Sequence, residues 1–405
     1  MMKSLFLSIL FMPGFSAFSQ SDSTMLTTVE TKIAAIKQQY VPDRRTAVFK
    51  VTASTDQGTI NLMGATTDQE AKNKLLATLQ ESNVNYTDNI ELLPSVKLAN
   101  KVFGVANLSV CNNRFEPKQS AEMATQMTLG TPVDVLMKKD GWLLVRTPDG
   151  YISWTEAMGV GLMDETEFKQ WQSADKILYT EYFGHAYQQP KKESSIVADL
   201  AKGAIVKLEG EEKGFYKVTY PDNRTAYVEK KEAIPLKNWL QSRNPSAENI
   251  ITTAKTLLGT PYLWGGTSIK GVDCSGFIKT SFFLNGIILP RDASQQVFAG
   301  EKVDIYENGS VNIEKGISNM QNGDLLFFSS KPDGNLNAPI THVGMYIGNG
   351  EFIHSSGMVR INSLKKEAVN YAEWQTKTLV AVRRVLSQIG TKEVTKIQEH
   401  PYYNR

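Results

Sequence analysis

The stretch THVGMYIGNGEFIHSSG, residues 341–357, constrains the fold more than any other part of the chain. Two runs of apolar and small residues flank Gly348-Asn349-Gly350, the pattern of a β-hairpin. His342 and His354 stand one on each run, twelve residues apart. Because that separation is even, an odd-length loop such as residues 348–350 sets both imidazoles on one face, within one pairing step. A two-residue loop without a bulge sets them on opposite faces. Two histidines on one face can act as a unit: one accepts a proton, while the second accepts a hydrogen bond from the other ring nitrogen and fixes the tautomer. Taken singly, each is an ordinary strand residue with a satisfied ring.

A group that such a base could serve lies upstream in GVDCSGF, residues 271–277. PSAENIITTAKTLLGTPYLWGG predicts a helix from Ser246, with Glu248 in its first turn, ending at Gly259 before Pro261. After Trp264-Gly265-Gly266, Asp273 is a candidate N-cap and SGFIKTSFFLNG a second helix closed by Asn285-Gly286. Cys274 then occupies the first turn, where the positive end of the helix dipole and nearby N–H groups favour a thiolate. Two blander readings stand beside this one: a small apolar residue packing the helix start, or half of a disulfide with Cys111, the chain's other cysteine. Nothing in the sequence places the two cysteines within bridging reach. A thiolate with a histidine base performs acyl transfer, hydrolysing an amide through a thioester. No metal site, phosphate loop or other cofactor motif is apparent.

The disulfide question depends on compartment, and the start of the chain speaks to it. MMKSLFLSILFMPGFSAFSQSDS has a basic residue at Lys3, an apolar run to Phe15 and small residues at Ala17 and Ser19, the pattern of a secretory signal over residues 1–19 cleaved after Ser19. The run is short and interrupted by Pro13 and Gly14, and no later stretch approaches the ~20 apolar residues that span a bilayer. The expected mature protein is exported without membrane insertion, and periplasmic where the cell has an outer membrane. With 44 basic against 42 acidic residues, a net charge of +2, it has no electrostatic footprint for nucleic acid. Oligomeric state is not legible.

At 405 residues the chain is long enough for several domains. Residues 24–95 read as helix, strand, strand, helix, strand, a small α/β module faintly similar to the BON domains of exported bacterial proteins through its GTINLMGATTDQEAKNKLL pattern. Residues 98–160 and 179–236 share a layout. Each has an early proline, a glycine before an alternating strand, a charged turn ending in glycine and an aromatic (Gly141-Trp142; Gly214-Phe215), and a Pro-Asp turn before an aromatic strand. Short strands at even spacing predict two small β-barrels, joined by a helical linker over residues 161–178. Residues 240–388 carry the cysteine and the histidines, and residues 389–405 read as a tail. The expected class is α+β, multidomain.

TPYLWGG, DCSGF, LPRDASQQ, NGDLLFF and HVGMYIGNGEFIHSSG follow one another in the order and approximate spacing of NlpC-type peptidases, papain-like cysteine enzymes of the bacterial cell wall. The resemblance implies a helix bearing Cys274, the nucleophile, packed on an antiparallel sheet bearing His342, the general base, and His354, which orients it. It implies Tyr262 beside an oxyanion site whose backbone donor is the Cys274 N–H, and a free Cys111. The paired barrels resemble bacterial SH3-like domains. Their place before the peptidase resembles the family's γ-D-glutamyl-L-diamino acid endopeptidases, of the dipeptidyl-peptidase VI type, which cut L-Ala-γ-D-Glu from the diamino acid of a murein stem peptide. In such enzymes the first SH3-like domain closes one end of the cleft, so that only a free N-terminal L-Ala fits. On that pattern Glu122, Tyr151, Trp264, Asp273, Ser275 and Asp292 are the substrate-side candidates, with Asp292 equally a helix cap to Gln295. Ala293 stands where the family often has serine. Two rival readings remain open: an endopeptidase remodelling intact peptidoglycan, and a wall-binding protein with an idle peptidase fold.

Overall fold

The computed structural model describes residues 16–56, 58–331 and 338–404, in two compact units that divide after Ser95. Most of the expected signal segment lies outside the described residues. In the N-terminal unit the helix Ser16–Tyr40 runs through the expected cleavage position. The strands Phe49–Asp56 and Thr59–Thr66 pair antiparallel, and Tyr86–Leu92 joins parallel to the second. A parallel neighbour needs a crossover. The helix Gln69–Glu81 supplies it, started by Asp68, whose carboxylate accepts from the Ala71 N–H. Ala71, Leu75 and Leu79 recur at helical spacing and are buried with Val29, Ile33 and Ile36 against Phe49, Val51, Ile60 and Leu62.

The second unit holds the two related β modules and the histidine-bearing sheet. Each module is a seven-stranded antiparallel sheet, and their central hairpins match in detail. Pro132–Lys139 turns into Trp142–Arg146 through Asp140-Gly141, and Ile205–Glu212 into Phe215–Thr219 through Lys213-Gly214. All four turn residues have positive φ, as the tight turns favoured between twisted strands require. Each hairpin also carries a register shift at the equivalent place, Val135/Met137 and Leu208/Gly210.

Three expectations change. The barrels are not closed as hydrogen-bonded rings among the described residues: in the first module the order runs from Val160–Met163 at one edge to Met123–Thr128 at the other. The Met123–Thr128 edge is left open because it docks on another part of the unit. The helical linker shrinks to Glu165–Ser173, capped by Asp164 and Glu167. Val160–Met163 before it and Lys176–Tyr179 after it pair into the two sheets, since their side chains are mostly apolar and bury there. The tail, described to residue 404, is not loose either. Thr395–Lys396 pairs with Ile287–Ile288, Val394 and Ile397 are buried, and the Tyr402 hydroxyl donates to Asp134 of the first module.

The third part is a six-stranded sheet in the order Glu301–Lys302, Leu379–Arg384, Leu325–Ser329, Ile340–Gly348, Glu351–Ser356, Met358–Ser363. One face, with Leu325, Phe327, Val343, Met345 and Ile353, packs on Phe277, Ile278 and Phe282 of the helix Cys274–Phe283. Period-2 alternation on the strands and 3.6-period burial on the helix meet in one core.

Candidate active site

The nucleophile helix starts as its sequence implies. Asp273 caps it, its carboxylate accepting from the Gly276 N–H at 2.7 Å. Cys274 follows as the first helical residue, 8 % exposed, and both cysteines are free, which removes the disulfide. The Cys274 sulfur lies against the N–H groups of Val343 and Ser275, which places it beside the peptide linking His342 to Val343. Those donors favour the thiolate, yet burial and then the Asp273 charge outweigh them and push the thiol up to about 12. The lowering expected from the helix dipole is therefore reversed. Desolvation of a charge exceeds a partial dipole when no water reaches the sulfur.

The histidines do share a face, by a different device from the odd loop expected. The loop is the two-residue Asn349-Gly350, and a register shift between Tyr346 and Gly348 adds the odd residue. His354 then stands beside Gly344, one pairing step from His342. His342 Nε2 lies 2.7 Å from His354 Nδ1, and His354 Nε2 lies 2.9 Å from Asn362 Oδ1. Burial lowers His342 to about 3 and His354 to about 4, and the exposed Arg360 on the neighbouring strand adds to both, while Asn362 opposes the shift at His354. Both shifts favour the neutral forms of the thiol and of the imidazoles. Tyr262 is half-buried, and its phenol is pushed up by burial, with Cys274 and Asp273 adding, so that it stays a proton donor. The Cys274 N–H, at the first helical position, has no intrahelical acceptor.

The substrate-side candidates fall into two groups. Asp273 and Ser275 are buried around Arg291, a cation 1 % exposed. Arg291 donates to Asp273 Oδ2 at 2.5 Å, to Ser275 Oγ at 3.0 Å and to Thr125 Oγ1 of the first module at 3.0 Å. The Gly265 N–H donates to Asp273 as well, so these carboxylate oxygens are taken up in holding the helix start. The other group crosses between the first module and the part of the unit that carries Cys274. Trp264 Nε1 donates to Glu122 Oε1 at 2.9 Å, and the Tyr151 hydroxyl to Asp292 Oδ2 at 3.1 Å. Asp292 also caps its short helix, its N–H donating to Gln295.

The first module grips the Cys274-bearing part at three further points. Gln126 Oε1 accepts from the Thr267 N–H and the Ser268 hydroxyl, both at 3.0 Å. Asp149, fully buried, pairs with Lys279 on the nucleophile helix. A Cβ on Gly265, at φ +79°, would sit 2.7 Å from the Met123 carbonyl oxygen, so only glycine lets the two backbones meet there. Sequence reading overlooked Arg291, Asn362, Gln126 and Asp149. Arg291 alone had a signal, as the basic neighbour of Asp292 in LPRDASQQ.

Residues 259–383 match the model of the NlpC/P60 family, residues 114–157 that of the bacterial dipeptidyl-peptidase Sh3 domain, and residues 186–232 that of the bacterial SH3 domain. A γ-D-glutamyl-L-lysine dipeptidyl-peptidase of Bacillus cereus is 30 % identical over 58 % of this chain and 67 % of its own. Dipeptidyl-peptidase 6 of Lysinibacillus sphaericus is 28 % identical over 66 % of this chain and 93 % of its own. The crystal structure of an NlpC/P60 family protein from Bacillus cereus superposes with a TM-score of 0.57 at 25 % identity, over 70 % of this chain and 99 % of that one. At that identity and coverage, with the cysteine and paired histidines assembled as described, the chain belongs to the NlpC/P60 family of cysteine peptidases.

Proposed function

We propose that the protein hydrolyses the amide between γ-D-glutamate and the diamino acid of released murein stem peptides that carry a free N-terminal L-Ala. The Cys274 sulfur bonds to the γ-carbonyl carbon as its proton passes to His342. His342 returns that proton to the departing amine, and water hydrolyses the resulting thioester. The observation that carries the substrate choice is the contact of the first module with the peptidase, where Glu122 Oε1 accepts from Trp264 Nε1 at 2.9 Å. A free L-Ala terminus is an ammonium, and desolvating it is costly unless a carboxylate meets it. Asp273 is committed to Arg291, which leaves Glu122 and Asp292 as the carboxylates for that role, and Glu122 is the one the first module supplies. The name of the Bacillus cereus relative agrees with this bond. The leader-like residues 1–19 support export, to the periplasm where there is one, and a mature N-terminus at Gln20 on the secreted protein is the check.

The test compares L-Ala-γ-D-Glu-diamino acid with its N-acetylated form and with intact sacculi. Strong preference for the free amine is expected. Equal rates on the free and acetylated peptides, or faster release from sacculi, would move the reading to an enzyme of the intact wall.

A further inference from the structure

We propose that the side-chain amide of Asn362 sets the tautomers of both active-site histidines and so aims the basic nitrogen of His342 at Cys274. Asn362 lies on the strand Met358–Ser363, paired with Phe352 and diagonal to His354. Its Nδ2 donates to the Asn370 carbonyl at 2.9 Å, and the same carbonyl accepts from the Ser363 N–H at 3.0 Å. A carbonyl only accepts. The amide therefore cannot flip without setting oxygen against oxygen, and its Oδ1 must face His354 Nε2, 2.9 Å away. Asn370 is held in turn by Glu351, whose Oε1 accepts from Asn370 Nδ2 at 3.1 Å.

From that acceptor the proton positions follow in order. Oδ1 has no hydrogen to give, so the proton between it and His354 belongs to Nε2. A neutral imidazole carries one N–H, so His354 Nδ1 is bare and accepts across the 2.7 Å contact from His342 Nε2–H. His342 Nδ1 is then bare too. It is the ring nitrogen left for the thiol proton, on a residue whose following N–H already touches the sulfur. The burial that keeps both rings neutral at pH 7 supports the sequence, since a charged ring would have two N–H groups and no choice of tautomer. When His342 takes the thiol proton, its Nε2–H and the rest of the chain stay in place, so the transfer needs no rearrangement behind the base. Asn362 touches neither substrate nor sulfur and is a positioning residue.

The experiment is 15N NMR of histidine-labelled full-length protein, which has only four histidines to resolve. The unsubstituted protein is expected to show His342 and His354 both protonated at Nε2 and bare at Nδ1. In Asn362→Leu the acceptor is gone, a tautomer mixture is expected, and kcat falls roughly 10- to 100-fold with little change in KM, a part of the ~10²–10⁴ that general acid–base catalysis supplies. Asn362→Asp keeps an acceptor for His354 Nε2 but sets its second oxygen against the Asn370 carbonyl, so it is expected to hold the tautomers better than Asn362→Leu while recovering only a small part of kcat. Protonation of either ring at Nδ1 in the unsubstituted protein overturns the proposal, whether or not the variants fold. So does Asn362→Leu with unchanged tautomers and unchanged kcat. The kinetic arm rests on the peptidase reading above, whereas the spectroscopic arm stands if the substrate proves to be another amide.

Discussion

The two β modules share strand order, turn chemistry and a hairpin bulge, but they meet the peptidase very differently. The first presents an open edge and two turns to it: Glu122, Thr125, Gln126, Asp149 and Tyr151 all reach peptidase side chains or backbone. The second meets it through Asp199, which pairs with Lys270 where both side chains are well exposed, through the Tyr182 hydroxyl, which donates to the Thr256 carbonyl, and through an apolar seam in which Leu178 and Ile205 are buried with Ile288 and Ile397; it braces the first module through Asn107–Asp222, Ser109–Asp199 and the Ile205 N–H to Leu129. One scaffold thus serves twice, and the residues on its edge and turns decide whether it shapes a cleft or supports a neighbour.

The comparison is most open to breakage at the Asp149–Lys279 pair. The Asp149 side chain is fully buried and that of Lys279, on the helix that begins with Cys274, is 17 % exposed. Asp149→Ala leaves an ammonium buried without a partner and should cost about 3–5 kcal/mol, measured by denaturant unfolding. Replacing both residues, Asp149→Leu with Lys279→Met, should recover most of that loss, because two apolar groups need no partners. If Asp149→Ala is as mild as a surface change, the first module is not anchored to the catalytic helix in the way its burial implies.

The next effect is catalytic. Glu122 is exposed until substrate fills the cleft, so removing its charge should fall short of the full cost of an unpaired buried ion. Glu122→Gln is expected to lower kcat/KM for the free-amine peptide about 10- to 100-fold, or ~1.4–2.8 kcal/mol, and to leave the slow N-acetylated peptide almost untouched. An equal drop on both peptides would take amine selection away from Glu122 and give it to another group.

Much of this site can be read before any fold is known, and the reasons for the remainder are physical. Asp273 before Cys274 and two histidines at even spacing are local patterns, and a cap or a strand parity is determined by near neighbours. The bulge between Tyr346 and Gly348 is invisible to parity counting, because it depends on where two strands choose to pair. Arg291 looks like a solvated charge until Asp273 and Ser275 from one segment and Thr125 from another are brought around it. Asn362 and Asn370 are ordinary loop-forming residues until one carbonyl orients an amide toward His354. The thiol shows the limit most clearly: a helix start is legible and predicts lowering, whereas burial belongs to the whole fold and raises the same group.

Burial of the histidines gives a pH prediction confined to the peptidase sheet. Their folded values, about 3 for His342 and about 4 for His354, lie below the ordinary value near 6.5. The unfolded chain therefore takes up protons first as pH falls, and stability present above pH 6.5 is lost progressively down toward pH 4. Between pH 7 and 5.5 each ring should account for about 1 kcal/mol of loss. His354→Gln should remove about half of the histidine share of that slope, followed by urea unfolding at several pH values. A slope unchanged in that variant would mean that other groups carry the acid sensitivity.

The smallest expected effect is the sharpest test of the contrast between the modules. Lys270 Nζ pairs with Asp199 at 2.5 Å and meets the Ser109 hydroxyl at 2.9 Å, with side chains 37 % and 52 % exposed across the ion pair. Lys270 also lines the same groove of about 650 Å³ as Glu122, Trp264 and Arg114, so its position alone does not exclude a part in binding. Energetics separates the two cases. An exposed pair gains little over hydration by water and is screened by salt, so Lys270→Ala should cost no more than ~1 kcal/mol. If the second module only braces, kcat/KM for the free-amine peptide should stay within about twofold in Lys270→Ala and in Asp199→Ala, since a twofold change is only about 0.4 kcal/mol. A fall comparable to that of Glu122→Gln in either variant would show the second module acting in the cleft through Lys270, and the division between a shaping and a supporting copy of the scaffold would have to be given up.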